Sequence, residues 1–253
     1  MDTLRLAWAA GIFDAEGSIS THVPTRRTRH QPVLMVSQAS RSVVPQLLLD
    51  FRSVLEMGSI VGPYRGYLYY WRSGDAGTIA SVATLLWPWL GDVKRTQILS
   101  VVQRVDSLAT VELTADIWST HICRVLRDES QRASHELAWA GGFFTGEGSL
   151  GAYQVAKRSP TGTRPSSSIS QASFDGRIPF VLERFREAVG DGSIHGPYGP
   201  RGWSKYPQYR WDLSGYAKVA EVMRRLWPWL DQKRQAQCDR TLGSDWRAMP
   251  TPR

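Results

Sequence analysis

The stretch "LAWAAGIFDAEGS" (Leu6 to Ser18) spaces its apolar residues at helical rather than alternating intervals, predicting a helix with Thr3 as N-cap that runs to about Ala15. Apolar and polar residues then alternate or cluster over about 18 to 24 and 32 to 38, the pattern of two strands joined by the turn-rich "PTRRTRHQP". Helical spacing returns in "VVPQLLLDFRSVLEM", where Leu47, Leu48, Phe51 and Leu55 share a face and Gly58 supplies the stop. "GSIVGPY" and "YLYYWRS" read as a hairpin. "GTIASVATLLWPWL" and "VKRTQILSVVQRVDSL" are helical, with a break at Pro88.

The chain then spells the same pattern again. "LAWAAGIFDAEGS" returns as "LAWAGGFFTGEGS" (Leu137 to Ser149), "SQAS" at Ser37 returns at Ser170, and "GSIVGPY" at Gly58 returns as "GSIHGPY" at Gly192. "LLWPWLGDVKR" at Leu85 returns as "RLWPWLDQKR" at Arg225. Two copies are too few for a solenoid, which needs about three units. The expectation is a pseudo-dimer fused into one chain, with repeats at 1–110 and 135–253 and a linker at 111–134. The fold class is α+β: two pseudo-symmetric αββαββα repeats, each with a four-stranded antiparallel sheet.

Composition adds a partner. The 253 residues, 42% hydrophobic, suffice for a real core. No run of about 18 uncharged apolar residues and no signal-peptide start is visible, so the expectation is a soluble intracellular protein without membrane association. Cys123 and Cys238 cannot build a disulfide framework and lack zinc-like spacing, so both read as ordinary buried or half-buried thiols. The net charge is +8, and four windows (17–49, 57–74, 148–174 and 192–211) hold twelve basic residues and no acid. These windows are the predicted strand pairs. With helices covering one face of each sheet, the two open faces form a basic saddle suited to a DNA duplex, phosphates supplying affinity and strand side chains reading base edges.

Small residues line one side of each opening helix: Ala7, Ala10 and Gly11, matched by Ala138, Gly141 and Gly142. Their spacing lets two helix backbones approach closely, and their recurrence favours the two helices packing on each other. Gly17 and Gly148 then read as left-handed helix terminators, and Glu16 and Glu147 as neighbours. Each carboxylate would face the negative end of a helix dipole and repel the other, at about 0.3–1 kcal/mol for each dipole term. Divalent cations reverse both penalties. Hard oxygen ligands favour magnesium, with manganese as a substitute, and a phosphate backbone laid across such ions leads to phosphodiester hydrolysis.

The words "AGIFDAEGS" and "GGFFTGEGS" resemble the two signatures of single-chain LAGLIDADG homing endonucleases, and the resemblance in motif, spacing and element order spans nearly the whole chain. It implies that the motif helices form the repeat interface and that Glu16 and Glu147 bind catalytic metal, joined by the carbonyls of Ala15 and Gly146. It also implies catalytic roles around the attacking water for Gln38 and Gln171 in the "SQAS" words and for Lys94 and Lys233 after "WPWL". Thr145 departs from the pattern where the first copy has Asp14, and reads as local capping variation.

For DNA contacts, strand alternation sends Gln31, Val33 and Met35, with Ser20 and His22, to the open face of the first sheet. In the second it sends Arg164, Ser166 and Ser168, with Tyr153 and Val155. A slip of one residue would exchange the faces. Arg26, Arg27, Arg29, Lys157 and Arg158 near hairpin tips fit phosphates and outer bases, and Arg65, Arg72, Arg201, Lys205 and Arg210 complete the set. Trp87, Trp89, Trp227 and Trp229 read as core. The resemblance thus implies a monomeric, magnesium-dependent, site-specific double-strand endonuclease with a long asymmetric target and short 3′ overhangs, intron-encoded or free-standing. The alternatives are a maturase bound to its own intron RNA and a DNA-binding regulator on a dead scaffold, against which the retention of both glutamates argues.

Overall fold

The computed structural model describes residues 2–22, 31–105, 129–154, 163–200 and 205–248. The chain divides into two compact units, Met1–Phe143 and Phe144–Arg253.

The first unit opens with α1 (Thr3–Glu16). Asp2, not Thr3, is its N-cap: the carboxylate accepts from Leu4 N (3.0 Å) and Arg5 N (3.4 Å). There follow β1 (Gly17–His22), β2 (Gln31–Ala39), α2 (Gln46–Leu55), β3 (Ser59–Tyr64), β4 (Leu68–Ser73), α3 (Ala76–Leu86), a 3-10 turn at Trp87–Trp89 and α4 (Asp92–Val102). α2 stops earlier than expected because Glu56 itself takes the left-handed conformation (φ 55°), two residues before Gly58. The sheet order is β1-β2-β4-β3, all antiparallel. Helices cover the face bearing Ile19, Leu34, Val36, Tyr69 and Trp71, all buried. Phe51 from α2 meets Trp71 edge-on at 5.0 Å, and the Trp71 indole donates to Met57 O at 2.9 Å, so this fully buried ring keeps its polar atom satisfied.

The helix that carries the second motif, α5 (Glu129–Glu147), begins in the first unit. His135 is buried there, stacked on Trp89 at 5.6 Å. Its Nδ1 donates to the Gln131 carbonyl at 2.6 Å, and its Nε2 is hydrogen-bonded to the Thr3 hydroxyl at 2.9 Å. The division between units therefore falls inside a helix, and most of the linker expected at 111–134 lies outside the described residues.

The second unit repeats the plan with β5 (Ser149–Gln154), β6 (Thr163–Ala172), α6 (Phe180–Val189), β7 (Ser193–Tyr198), β8 (Gln208–Ser214), α7 (Tyr216–Leu226), a 3-10 turn at Trp227–Trp229 and α8 (Gln232–Leu242). Its strand order, β5-β6-β8-β7, matches the first. Trp211 occupies the place of Trp71, with Phe185 edge-on at 4.9 Å and its indole donating to Asp191 O at 3.0 Å. Of the "WPWL" tryptophans only Trp89 is buried. Trp87, Trp227 and Trp229 are half-buried, because the 3-10 turn exposes part of each ring at the end of its helix. Among the described residues no helix is long and apolar enough to cross a membrane.

Candidate functional site

Within the first unit, α1 and the first part of α5 meet backbone to backbone. A Cβ on Gly11 would collide with the Trp139 carbonyl and lie 2.8 Å from the Phe143 nitrogen; one on Gly142 would collide with the Trp8 carbonyl and lie 3.0 Å from the Ile12 nitrogen. Ala7, Ala10, Gly11, Ala138, Gly141 and Gly142 are all buried. The small-residue stripe thus serves close approach, and Gly11 and Gly142 are where no side chain fits.

Each motif helix delivers an acid at its last residue, Glu16 on α1 and Glu147 on α5, both half-buried. The glycine that follows turns straight into a strand, its N–H donating to the carbonyl four residues back, Phe13 for Gly17 and Phe144 for Gly148. Neither glycine is left-handed as expected: Gly17 sits at φ −73°, ψ 145°, and Gly148 is not in the positive-φ region. Glycine is needed for room instead. A Cβ at Gly17 would strike the ring and carbonyl of Phe13, and one at Gly148 those of Phe144.

Around Glu16 the first unit gathers two of the expected side chains. Lys94, near the start of α4, donates from Nζ to the Gly17 carbonyl, one residue past the acid. Gln38 lies two residues beyond Val36, the partner of Gly17, so the register carries it to the end of the sheet where α1 finishes. It is half-buried and shares the helix-covered face with Leu34 and Val36.

Around Glu147 the second unit differs. Gln171 holds the place of Gln38, opposite buried Tyr209 as Gln38 is opposite Tyr69. Lys233, however, is exposed. Its neighbour Arg234 reaches the motif helix, donating from Nε to the Thr145 carbonyl (3.1 Å) and from Nη2 to the Gly146 carbonyl (3.3 Å). The hydrogen-bond register explains the shift: Arg95 donates to Trp87 O and Gln235 to Trp227 O, so Lys94 corresponds to Arg234 without a gap. Aligning lysine with lysine displaces the helix by one residue.

The same register explains Thr145. Asp14 accepts from the Gly91 N–H at the start of α4 (2.9 and 3.0 Å) and from the Trp139 indole (2.8 Å). In the second unit Gly91 is replaced by Asp231, whose own carboxylate caps α8 by accepting from Arg234 N at 2.8 Å. The capping acid has moved from the motif helix to the cap position, leaving a buried threonine at 145. Among the described residues no three His, Cys, Asp or Glu side chains form a cage for a metal.

The strand register sorts the remaining candidates. Pairing of Ser18 with Met35, Ser20 with Val33 and Met35 with Arg72 puts these residues, with Gln31, on the face away from the helices. In the second sheet Tyr153, Arg164, Ser166, Ser168 and Arg210 share the corresponding face. Arg65 is in the β3–β4 turn with φ 52°, and Lys205 is exposed just before β8. Arg26, Arg27, Arg29, Val155, Lys157, Arg158 and Arg201 lie outside the described residues, as does the side chain of His22. Sequence reasoning missed Tyr70 and Asp212 on these faces. Asp212 accepts from Arg210 and holds that guanidinium above its ordinary pKa through the hydrogen bond.

No family model matches the sequence, and no curated protein is similar enough to count as a match. Solved structures are similar. The I-LtrWI LAGLIDADG homing endonuclease bound to target DNA superposes with a TM-score of 0.62 at 15% identity, over 97% of this chain and 93% of its own. LAGLIDADG homing endonuclease I-GzeII in complex with its DNA target gives 0.60 at 15% identity over 96% and 88%. The I-SmaMI LAGLIDADG homing endonuclease bound to cleaved DNA gives 0.61 at 15% identity over 92% and 86%. At such identity the likeness is one of architecture: the chain has the two-repeat α+β fold of the LAGLIDADG homing endonucleases.

Proposed function

We propose that the chain is a monomeric, site-specific DNA endonuclease that cuts both strands of a long asymmetric duplex by divalent-metal-dependent hydrolysis, leaving short 3′ overhangs. The observation that carries this reading is the contact of Gly11 and Gly142 with the partner helix, each followed five residues later by a glutamate that ends its helix. At 1.5 Å per residue each acid stands about 7.5 Å beyond its crossing glycine. Each acid stands at the negative end of its helix, where a bound cation is favoured.

The donor chemistry fits magnesium, or manganese in its place: carboxylates of Glu16 and Glu147, with the carbonyls of Ala15 and Gly146 nearby, are hard oxygen ligands. With no complete protein cage among the described residues, phosphate oxygens and water would fill the rest of the shell. Such an ion supplies a water of lowered pKa and stabilises the leaving oxygen. The chain's own side chains do the remainder. Lys94 and Arg234 hold positive charge beside the two acids, where the phosphate gains negative charge as the bond breaks. Gln38 and Gln171 orient the attacking water by hydrogen bonding. The open sheet faces take the duplex, basic groups positioning phosphates and strand side chains reading bases.

Cleavage selection from a randomised duplex library, with wild type beside Glu16→Gln and Glu147→Gln, tests the reading. Wild type with magnesium or manganese should release one family of related sites, and neither variant should cut both strands. Robust cutting by both variants, or no cutting by wild type with either ion, overturns it.

A further inference from the structure

Among the described strand positions on the open face of the second sheet there is one acid, Asp212. A carboxylate facing DNA is repelled by nearby phosphates, so it must be offset by a contact of its own. Arg210, two residues earlier on β8 and therefore on the same face, provides it. Its Nε donates to both carboxylate oxygens at 2.7 Å, and its Nη2 lies 2.6 Å from Oδ1. The cross-strand neighbours are small or slim: Ser168 and Ser193 beside Asp212, Ser170 and His195 beside Arg210. The Arg210 side chain stays 50% exposed.

This pair suits one kind of contact better than another. A guanidinium that binds phosphate works through its net charge and needs no fixed direction. Tied to a carboxylate, the pair is neutral and offers phosphate little, but the guanidinium loses its freedom to rotate. The carboxylate occupies Nε and one Nη2 proton, leaving Nη1 and the second Nη2 proton as a two-pronged donor. Guanine presents two acceptors, O6 and N7, spaced for such a fork in the major groove.

Resting on the endonuclease reading above, we propose that Arg210 reads a guanine in the part of the target covered by the second unit, with Asp212 as the residue that positions it. The first unit has no counterpart at the equivalent positions. Met35 pairs with Arg72 as Ser168 pairs with Asp212, so Tyr70 and Arg72 stand where the second unit has Arg210 and Asp212. The guanine is therefore demanded in one half of the site only, which makes the target asymmetric.

The test is a binding selection from a randomised duplex library without divalent metal, so that the readout does not depend on cutting. Wild type should enrich a site with an invariant guanine at one position. Arg210→Ala should lower the preference for that guanine about 5- to 150-fold and leave the other positions unchanged. Asp212→Ala should relax the same position while keeping the rest of the site. The double variant should keep the salt dependence of binding, whereas loss of a phosphate contact would lower the slope by about one. Unchanged preferences in both single variants, a slope lowered by about one, or relaxation at a different base pair on changing Asp212 than on changing Arg210 overturns the proposal. If wild type enriches a site and the variants enrich the same one, this proposal alone fails. If wild type enriches none, the endonuclease reading fails and this proposal falls with it.

Discussion

Alanine at Gly11 or Gly142 separates two effects that normally agree. In an ordinary helix interior the exchange stabilises by about 0.5–1 kcal/mol, because glycine loses more backbone freedom on folding. At the α1–α5 crossing the new methyl points into backbone: at Gly11 it meets the Trp139 carbonyl and the Phe143 nitrogen, at Gly142 the Trp8 carbonyl and the Ile12 nitrogen. Ordinary contact begins near 3.4 Å, and a backbone carbonyl has no rotamer by which to turn aside. The helices must separate, loosening Ala7, Ala10 and Ala138, all fully buried. Overpacking of this kind costs about 1–3 kcal/mol, occasionally more. Because the overlap is with immovable backbone, the upper part of that range applies, about 2–3 kcal/mol. After the helix gain is subtracted, each variant should be destabilised by about 1–2.5 kcal/mol, lowering the thermal midpoint by about 2–10 °C for a chain of this size. Gly151→Ala is the control, since its Cβ would meet nothing within 4 Å. It should stay within about 0.5 kcal/mol of wild type. Thermal and urea unfolding followed by circular dichroism give the comparison. If Gly11→Ala and Gly142→Ala unfold at or above the wild-type midpoint, the backbones do not touch there and the helix pairing is wrong.

Asp14→Ala should cost about 2–4 kcal/mol in urea unfolding, because it strips the acceptor from the Gly91 N–H and the Trp139 indole at once; a loss below about 0.5 kcal/mol contradicts the bridging role. Lys94→Ala and Arg234→Ala should each slow cutting of one strand about 10²-fold and accumulate nicked duplex, while Lys233→Ala leaves both strands cut at the wild-type rate; the reverse pattern would return the role to Lys233. Burial pushes the Cys238 thiol up to about 12 from 9.0, so the fold holds it protonated. That contribution is complete below the unfolded value and is lost as pH climbs from 9.0 toward about 12. In a Cys123→Ser background a thiol reagent should label Cys238 only as fast as the chain unfolds, and labelling at the rate of an exposed thiol contradicts its burial.

Periodicity carried most of the fold, since each repeat alternates between helical and strand spacing with turn residues between, and spelling the pattern twice makes its elements mutually checking. What stayed hidden were choices between adjacent residues. Asp2 and Thr3 are both good caps, and only coordinates show which carboxylate or hydroxyl reaches the first N–H groups. Gly17 and Gly148 suggest a left-handed stop, yet the demand comes from the Phe13 and Phe144 rings, which no local sequence rule encodes. After "WPWL", matching lysine to lysine required a gap that the hydrogen bonds of Arg95 and Gln235 exclude. Asp212 was overlooked because the acid-free window ended at 211, one residue short, although its spacing from Arg210 already put both on one face of a strand.

Whether Glu16 and Glu147 serve one metal centre is tested most directly by a crystal of the protein on its selected duplex, grown with manganese. Anomalous density is expected at about 2.1 Å from a carboxylate oxygen of each glutamate, with phosphate oxygens completing the shell. Manganese held by other side chains, or absent from both glutamates while the duplex is bound, would contradict the shared centre.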